Sequence, residues 1–440
     1  MRTRGLLAVL AATVVLGGTA VALASPPGSV GTGDAVINLA GGFSYTIIAQ
    51  ACSDSVTSTE SGVTYPMPED FDANIGFSAG SENWLLSNHE LTQVRPGDFT
   101  GDAGKCSVQE QTPGDDDSNG DGSVSRLVLA KDGTTVLRRE LITTGLHDLC
   151  AAGQTPWKTY LANEEFPFIN DPDMLSGWVW EIDPATGAQK RLTGMGRFSH
   201  EQEAYASGSW YLTNDRGNFQ YIYKFVPDRQ RDLTTGRLYG LLFNRATNTG
   251  TWVGPLDPFH PEANMAALAG PPNASNSFQK AEGMIATASS AARGGNSVYF
   301  SESGAGADPG RIWTLTDLSQ DVVQGHVVVE GDWARLGRPD NLRFTDAGDL
   351  FLMEDHSGGD FTNHPEAGGM NQIWLLPRGQ EGSDNMILFA TLPNAFEPTG
   401  PWFSNDNRLL YLSVQADPPF HSRVIAITRD GGNFNQPYDH

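Results

Sequence analysis

Trp84-Leu-Leu-Ser-Asn-His-Glu90 is a short apolar run that ends in groups able to hold a proton or a cation, and the chain repeats this design. The further copies are Thr159-Tyr-Leu-Ala-Asn-Glu-Glu165, Trp210-Tyr-Leu-Thr-Asn-Asp-Arg216, Val298-Tyr-Phe-Ser-Glu-Ser303, Leu350-Phe-Leu-Met-Glu-Asp355 and Leu410-Tyr-Leu-Ser-Val-Gln415. A second strand-like run follows each copy. In order these are Ser125–Leu129, Trp178–Ile182, Tyr221–Phe225, Arg311–Leu315, Gln372–Leu376 and Arg423–Ile427. Self-similarity on this scale is the mark of a repeat architecture. Fifty glycines and 26 prolines, with no sustained helical period, make the chain mostly β. Six paired repeats, 51 to 88 residues apart, predict an all-β, six-bladed β-propeller with long inserts.

The polar endings then acquire a place. If each apolar run is the second strand of a blade, its end lies beside the start of the innermost strand. Those starts read His147-Asp-Leu-Cys150, His200-Glu-Gln-Glu-Ala204, Lys280-Ala-Glu-Gly283, Arg338-Pro-Asp-Asn341 and Glu397-Pro-Thr-Gly400. Glu165, Glu201, Glu282, Asp340 and Glu397 thus share one predicted depth, joined by the strand ends Glu90 and Asp215. Carboxylates crowded in this way cannot all stay ionised without cations between them. Oxygen ligands in such number suit Ca²⁺, Mg²⁺ or Mn²⁺. Cys150 among them favours one softer or trivalent ion, iron first and zinc second. His89, His147, His200 and His356 accompany the acids and are expected to support ligands rather than to ligate.

The chain bounds its own surroundings. Met1-Arg2-Thr3-Arg4, an apolar run from Leu6 to Leu23 and the small-residue end Ala22-Leu23-Ala24 read as a secretory leader over residues 1–24. Residues 25–440 are expected to form a single propeller domain outside the cytoplasm. A net charge of −24, from 52 acidic against 28 basic residues, argues against nucleic acid and anionic membranes as partners. Of three cysteines, Cys52 and Cys106 in loop-like sequence make the natural bridge in an oxidising compartment, leaving Cys150 as a free thiol. Asp115-Asp-Asp-Ser-Asn-Gly-Asp-Gly122 matches half of a calcium loop, but Arg126 stands where that loop needs a glutamate. Asn273-Ala-Ser275 is a glycosylation sequon. No nucleophile elbow, phosphate-cradling glycine loop or zinc-protease spacing is present.

Cys150-Ala-Ala-Gly-Gln-Thr-Pro-Trp-Lys-Thr-Tyr-Leu-Ala-Asn-Glu-Glu165 resembles the signature of the PhoX-type alkaline phosphatases, Cys-x-Gly-Gly-x-Thr-Pro-Trp-Gly-Thr-Trp…Glu-Glu. Gly196–Glu201, Asn214–Arg216 with Tyr221–Phe225, Pro339–Leu342 and Glu397–Gly400 match the family in order. The resemblance implies a secreted phosphomonoesterase whose mouth holds two ferric ions and three calcium ions around a bridging oxygen. It implies Cys150 as an iron ligand, and Glu164, Glu165, Glu201, Glu282, Asp340 and Glu397 as the carboxylate set. The substrate would be a small phosphomonoester, and the enzyme a monomer. Cations would neutralise the phosphoryl oxygens while a metal-held oxygen attacks in line. Lys158 replaces the family's glycine, and Lys280 stands near a position where the family often has arginine. With Arg216, these are the candidate cationic groups for phosphate. The residues alone also fit a calcium-dependent lactonase, or a non-catalytic propeller in which the ions are structural.

Overall fold

Tyr160, Leu161, Ala162, Asn163 and Glu164 are consecutive and all buried, as are the five residues Leu350–Glu354. Strands buried on both faces read as continuous apolar runs rather than alternations, which explains the sequence pattern. In the computed structural model the described residues are 36–91, 105–108, 120–165, 167, 176–216, 218–287, 297–356, 358–416 and 420–438. The leader at 1–24 and residues 115–119 of the acidic loop lie outside them.

The described residues form an all-β propeller whose sheets are antiparallel except where Ser55–Ser58 pairs parallel with Val136–Gly145. The first sheet runs Phe71–Ala79, Glu82–His89, Gly120–Leu129 and Val136–Gly145, with the short strands Ser55–Ser58 and Thr64–Pro66 at its outer edge. The second runs Leu149–Gln154, Tyr160–Glu164, Val179–Ile182 and Gln189–Arg191. A nine-stranded sheet follows. Its two meanders begin at His200–Ala206 and Ala281–Ala286, and they join where Thr249–Leu256 pairs with Val322–Glu330. A further sheet starts at Pro339–Phe344 and takes Asn38–Leu39 on its outer edge.

The last sheet contains Phe396–Phe403, Leu409–Ala416 and Arg423–Arg429, and its outermost strand is Phe43–Gln50 from the other end of the chain. That exchange closes the ring with a ladder of backbone hydrogen bonds. Each run recognised as a second strand pairs with its predicted third strand: Trp84↔Val128, Leu161↔Glu181, Trp210↔Phe225, Phe300↔Trp313, Leu352↔Trp374 and Leu412↔Ile425.

Apolar layers hold adjacent sheets together. One contains Ile75, Leu85, Leu127, Tyr160, Trp180, Trp402 and Tyr411, drawn from the first, second and last sheets. Each fully buried Leu or Phe contributes roughly 1.5–3 kcal/mol of transfer free energy, so the interfaces between sheets carry much of the stability. The disulfide Cys52–Cys106 forms, and Cys150 is free. No helix among the described residues is long and apolar enough to cross a membrane.

Candidate metal centre

One backbone pattern builds the site. The innermost and second strands of successive sheets begin their ladders with the pairs Phe71↔His89, Leu149↔Glu164, His200↔Asn214, Ala281↔Glu302, Pro339↔Glu354 and Phe396↔Ala416. The residue after the first member of each pair is Asp72, Cys150, Glu201, Glu282, Asp340 or Glu397. In all but the last, a register shift follows at once, and such bulges re-aim side chains. The residue after the second member is Glu90, Glu165, Asp215, Ser303 or Asp355. Two rings of side chains therefore meet at one end of the channel.

Left-handed residues fix this geometry. Asp70, Asp148, Lys280 and Arg338 have φ of 49°, 46°, 51° and 46°. Their carbonyls accept the N–H of Glu90, Glu165, Ser303 and Asp355 at 2.9–3.0 Å. A non-glycine residue in this region costs energy and persists only where its surroundings over-determine it. Gly400, at φ 59°, belongs to the same device, since a Cβ there would lie 2.1 Å from the Asp72 carbonyl oxygen.

The last residues of the second strands act as anchors. Glu164 accepts the backbone N–H of His147 at 3.2 Å and of Trp178 at 3.0 Å. Glu302 accepts from Gln279 N and Trp313 Nε1, and Glu354 from Gly337 N, Gln372 N and Trp374 Nε1. These buried acids tie strand ends together. Glu164 therefore leaves the predicted ligand set: its oxygens are taken by backbone donors, whereas Glu165, the next residue past the strand, groups with the donors of Cys150 and Glu201.

The mouth groups are close enough to share ions. Donor atoms of Asp72, Glu90 and Cys150 lie within 4.8 Å of one another. The same holds for Cys150, Glu165 and Glu201, for Glu90, Asp148 and Glu165, and for Glu201, Asp215 and Glu282. Both oxygens of Glu201, a side chain buried at 1 % exposure, lack a hydrogen-bond partner. Burial lifts the carboxyls of Glu90, Glu165, Glu201, Glu282, Asp340 and Glu397 well above their usual range, and neighbouring carboxylates lift them further. Asp72 rises to about 6, and the Cys150 thiol is pushed well up, for the same first reason. Cations seated between these donors would remove the repulsion, so the residues fit a multinuclear metal centre.

Cationic and imidazole groups divide by position. Lys280 Nζ lies 3.0 Å from Glu282 and 3.4 Å from Asp215, and the Glu282 charge holds its ammonium well above the usual lysine range. Arg216 donates to the Pro167 carbonyl at 3.2 Å beside the same strand end. Lys158 is a correction. It sits in the turn after Leu149–Gln154, with Nζ on Gln154 Oε1 at 2.7 Å, at the end of the hairpin opposite Cys150. Five residues of strand separate Gln154 from Leu149, roughly 16 Å at a strand's rise. His89 and His200 are buried and held to about 4 and about 3, first by desolvation, so both stay neutral. His200 Nε2 faces the Gly196 carbonyl, and His89 lies between Glu69 O and Ser125 Oγ. Both act as packing groups behind the mouth.

Sequence reasoning missed Asp72, Asp148 and Asp355. Asp148 and Asp355 stood in recognised segments. Asp72 lies in Glu69-Asp-Phe-Asp72, at the start of an innermost strand that precedes the first copy of the repeat. Thr399 Oγ1 donates to its carboxylate at 2.5 Å.

A family model described as alkaline phosphatase PhoX matches residues 27–418. Among solved structures, the chain is similar to PhoX of Pseudomonas fluorescens in complex with vanadate, a transition-state analogue. The identity is 18 %, the TM-score 0.68, and the match covers 92 % of this chain and 98 % of that one. Fainter likeness, carrying no argument, extends to a putative gluconolactonase at 10 % identity and TM-score 0.46, over 89 % and 93 % of the two chains. A gluconolactonase of Xanthomonas campestris follows at 11 % and 0.37, over 87 % and 99 %. No curated protein matches the sequence.

Proposed function

The chain belongs to the alkaline phosphatase PhoX family and is a phosphoester hydrolase; from that premise we propose that its propeller mouth cleaves small phosphomonoesters at a shared iron–calcium centre. The observation that carries this is Glu201, buried and without a hydrogen-bond partner between the Cys150–Glu165 donors and the Asp215–Glu282 donors. Ferric iron suits the set that contains the Cys150 sulfur, and calcium suits the all-oxygen sets around Glu90, Asp148, Glu165, Asp215 and Glu282. Asp72, Asp340 and Glu397 complete the carboxylate ring. When bound, such cations supply Lewis acidity toward the phosphoryl oxygens.

The protein's own groups do the rest. Lys280 stays protonated beside Glu282, so it serves as a donor to a phosphoryl oxygen and not as a base. As a point charge it fixes a phosphate less rigidly than a guanidinium fork would. Gln415 donates to Glu90 Oε2 at 2.8 Å, and Asn341 to Asp340 Oδ2 at 2.8 Å, which orients two carboxylates toward the mouth. Phosphoryl transfer needs little covalent help, so rigid placement of charge accounts for most of the expected acceleration.

Six blades are part of the same reading. The nine-stranded sheet counts as two blades joined at their outer strands, and residues 25–440 then form one domain. The leader at 1–24 would export it, and the enzyme would act as a monomer. The test is the mature protein purified beside Cys150→Ser. The native enzyme should contain iron and calcium, show a thiolate-to-iron absorption band and hydrolyse a chromogenic phosphomonoester. Cys150→Ser should lose band and activity together. Activity that survives in the variant would remove Cys150 from the ligand set.

A further inference from the structure

The repeated strand ending holds one position that the metal centre does not use. Two residues before Glu90, Glu165, Asp215 and Ser303 stand Asn88, Asn163, Thr213 and Ser301, all fully buried. Each faces the register shift behind the first ladder pair of its sheet or meander. Two residues oppose one across such a shift, so the ladder is locally broken and carbonyls there need other donors. Thr213 supplies its own meander, donating to the Gln202 carbonyl at 3.0 Å. The other three reach the next sheet or meander along the chain. Asn88 Nδ2 donates to the Cys150 carbonyl at 2.5 Å, Asn163 Nδ2 to the Glu201 carbonyl at 2.8 Å, and Ser301 Oγ to the Asp340 carbonyl. Each acceptor belongs to a residue of the ring.

The Asn88 contact is the most complete. Leu149 pairs with Glu164 and Ala152 with Ala162, so Cys150 and Ala151 both oppose Asn163. One carboxamide nitrogen serves both, since Asn88 Nδ2 also donates to the Ala151 carbonyl at 3.2 Å. The Tyr160 hydroxyl donates to Asn88 Oδ1 at 2.7 Å, which fixes the amide with its nitrogen toward the two carbonyls. Tyr160 is itself fully buried, in the second strand beside Cys150. Asn88 belongs to the first sheet, which also supplies Asp72 and Glu90, the two acids whose donor atoms gather with the Cys150 sulfur.

We propose that Asn88, oriented by Tyr160, is a positioning residue for the iron site: it grips the Cys150 peptide from the sheet that carries Asp72 and Glu90, and so sets the sulfur against those carboxylates. The proposal rests on the iron–calcium reading. Asn88 acts only through Cys150, as a support behind a ligand. Supports of this kind are worth about 10–100-fold in metal affinity.

The thiolate-to-iron absorption band reports the setting of the sulfur without relying on turnover. The full chain, Asn88→Ala, Tyr160→Phe and Val298→Ala are loaded with iron and calcium. Spectra, iron affinity by chelator competition and unfolding by denaturant are then measured on each. Val298 is buried in the second meander of the nine-stranded sheet, so its variant controls for lost stability alone. Asn88→Ala should shift the band and weaken iron binding about 10–100-fold. Tyr160→Phe, which removes one hydroxyl and keeps the ring, should move both in the same direction by less, and it decides the matter if Asn88→Ala does not fold. Val298→Ala should keep the native band and affinity. A native band and affinity in every variant that folds overturns the positioning role and leaves the iron site standing, as does a shift that Val298→Ala shares. Absence of the band from the native protein overturns the iron reading and the proposal with it.

Discussion

Glu201 carries opposite consequences for stability and for function. Its carboxylate is buried, without a hydrogen-bond partner and surrounded by acids, so in the metal-free protein it is a source of repulsion. Glu201→Gln removes that charge while keeping the shape. We expect the metal-free variant to melt higher than the metal-free native protein, and the loaded variant to lose at least about a hundredfold in kcat. Melting curves and single-substrate kinetics on the same preparations check both. Gly153 makes a complementary point, because a Cβ there would lie 2.0 Å from Glu203 Oε1. Gly153→Ala should cost about 1–3 kcal/mol by overpacking, read from urea unfolding. At this scale the sequence was legible where a residue sat next to a recognisable strand boundary, as Glu165 does after an apolar run and Cys150, Glu201 and Glu282 do at the starts of innermost strands. It misled where neighbours in sequence diverge in space. Glu164 is taken by backbone donors while Glu165, one residue on, joins the mouth, and Lys158 is carried to the far end of a hairpin.

Strand ends are where the elements are fixed to one another. Glu354 takes hydrogen bonds from Gly337 N, Gln372 N and Trp374 Nε1, tying its own strand end to the third strand and to the segment that leads into the innermost strand, just below Asp355. Glu354→Ala would leave three buried donors without an acceptor, and each such loss costs on the order of 1–3 kcal/mol. We expect a fall of at least about 3 kcal/mol in unfolding free energy, measured with denaturant, and partial recovery in Glu354→Gln. The second and third strands were readable because burial on both faces makes them continuous apolar runs bounded by polar ends. The innermost strand of the first sheet was not. Its start, Glu69-Asp-Phe-Asp72, offers three acids with separate duties: Glu69 moors Ser422, Asp70 pairs with Lys105 at 2.6 Å, and only Asp72 faces Cys150. Composition cannot divide those roles, because the division follows from a left-handed turn at Asp70.

Across the whole molecule, the crowded acids make stability depend on pH and on cations. Carboxyls whose folded pKa lies above the unfolded value stabilise fully at low pH, and lose that contribution as pH rises through the folded value. Asp72 moves from 3.8 to about 6 and Glu203 from 4.5 to about 8, both chiefly by burial. His89 and His200 shift downward and act in the opposite sense, but only below their ordinary 6.5. Metal-free protein should therefore melt progressively lower as pH rises from 6.5 to about 8.5, and added calcium should flatten that slope. A slope unchanged by calcium would show that the acids do not hold it.

The central claim is that this ring of acids and one thiol forms a metal-dependent phosphomonoesterase. Its most direct test follows the hydrolysis of a chromogenic phosphomonoester by the mature protein before chelation, after removal of metals, and after return of iron and calcium. Activity should vanish with the metals and return only when both ions are restored. Full activity in metal-free protein, or none in protein that contains both ions, would contradict the claim.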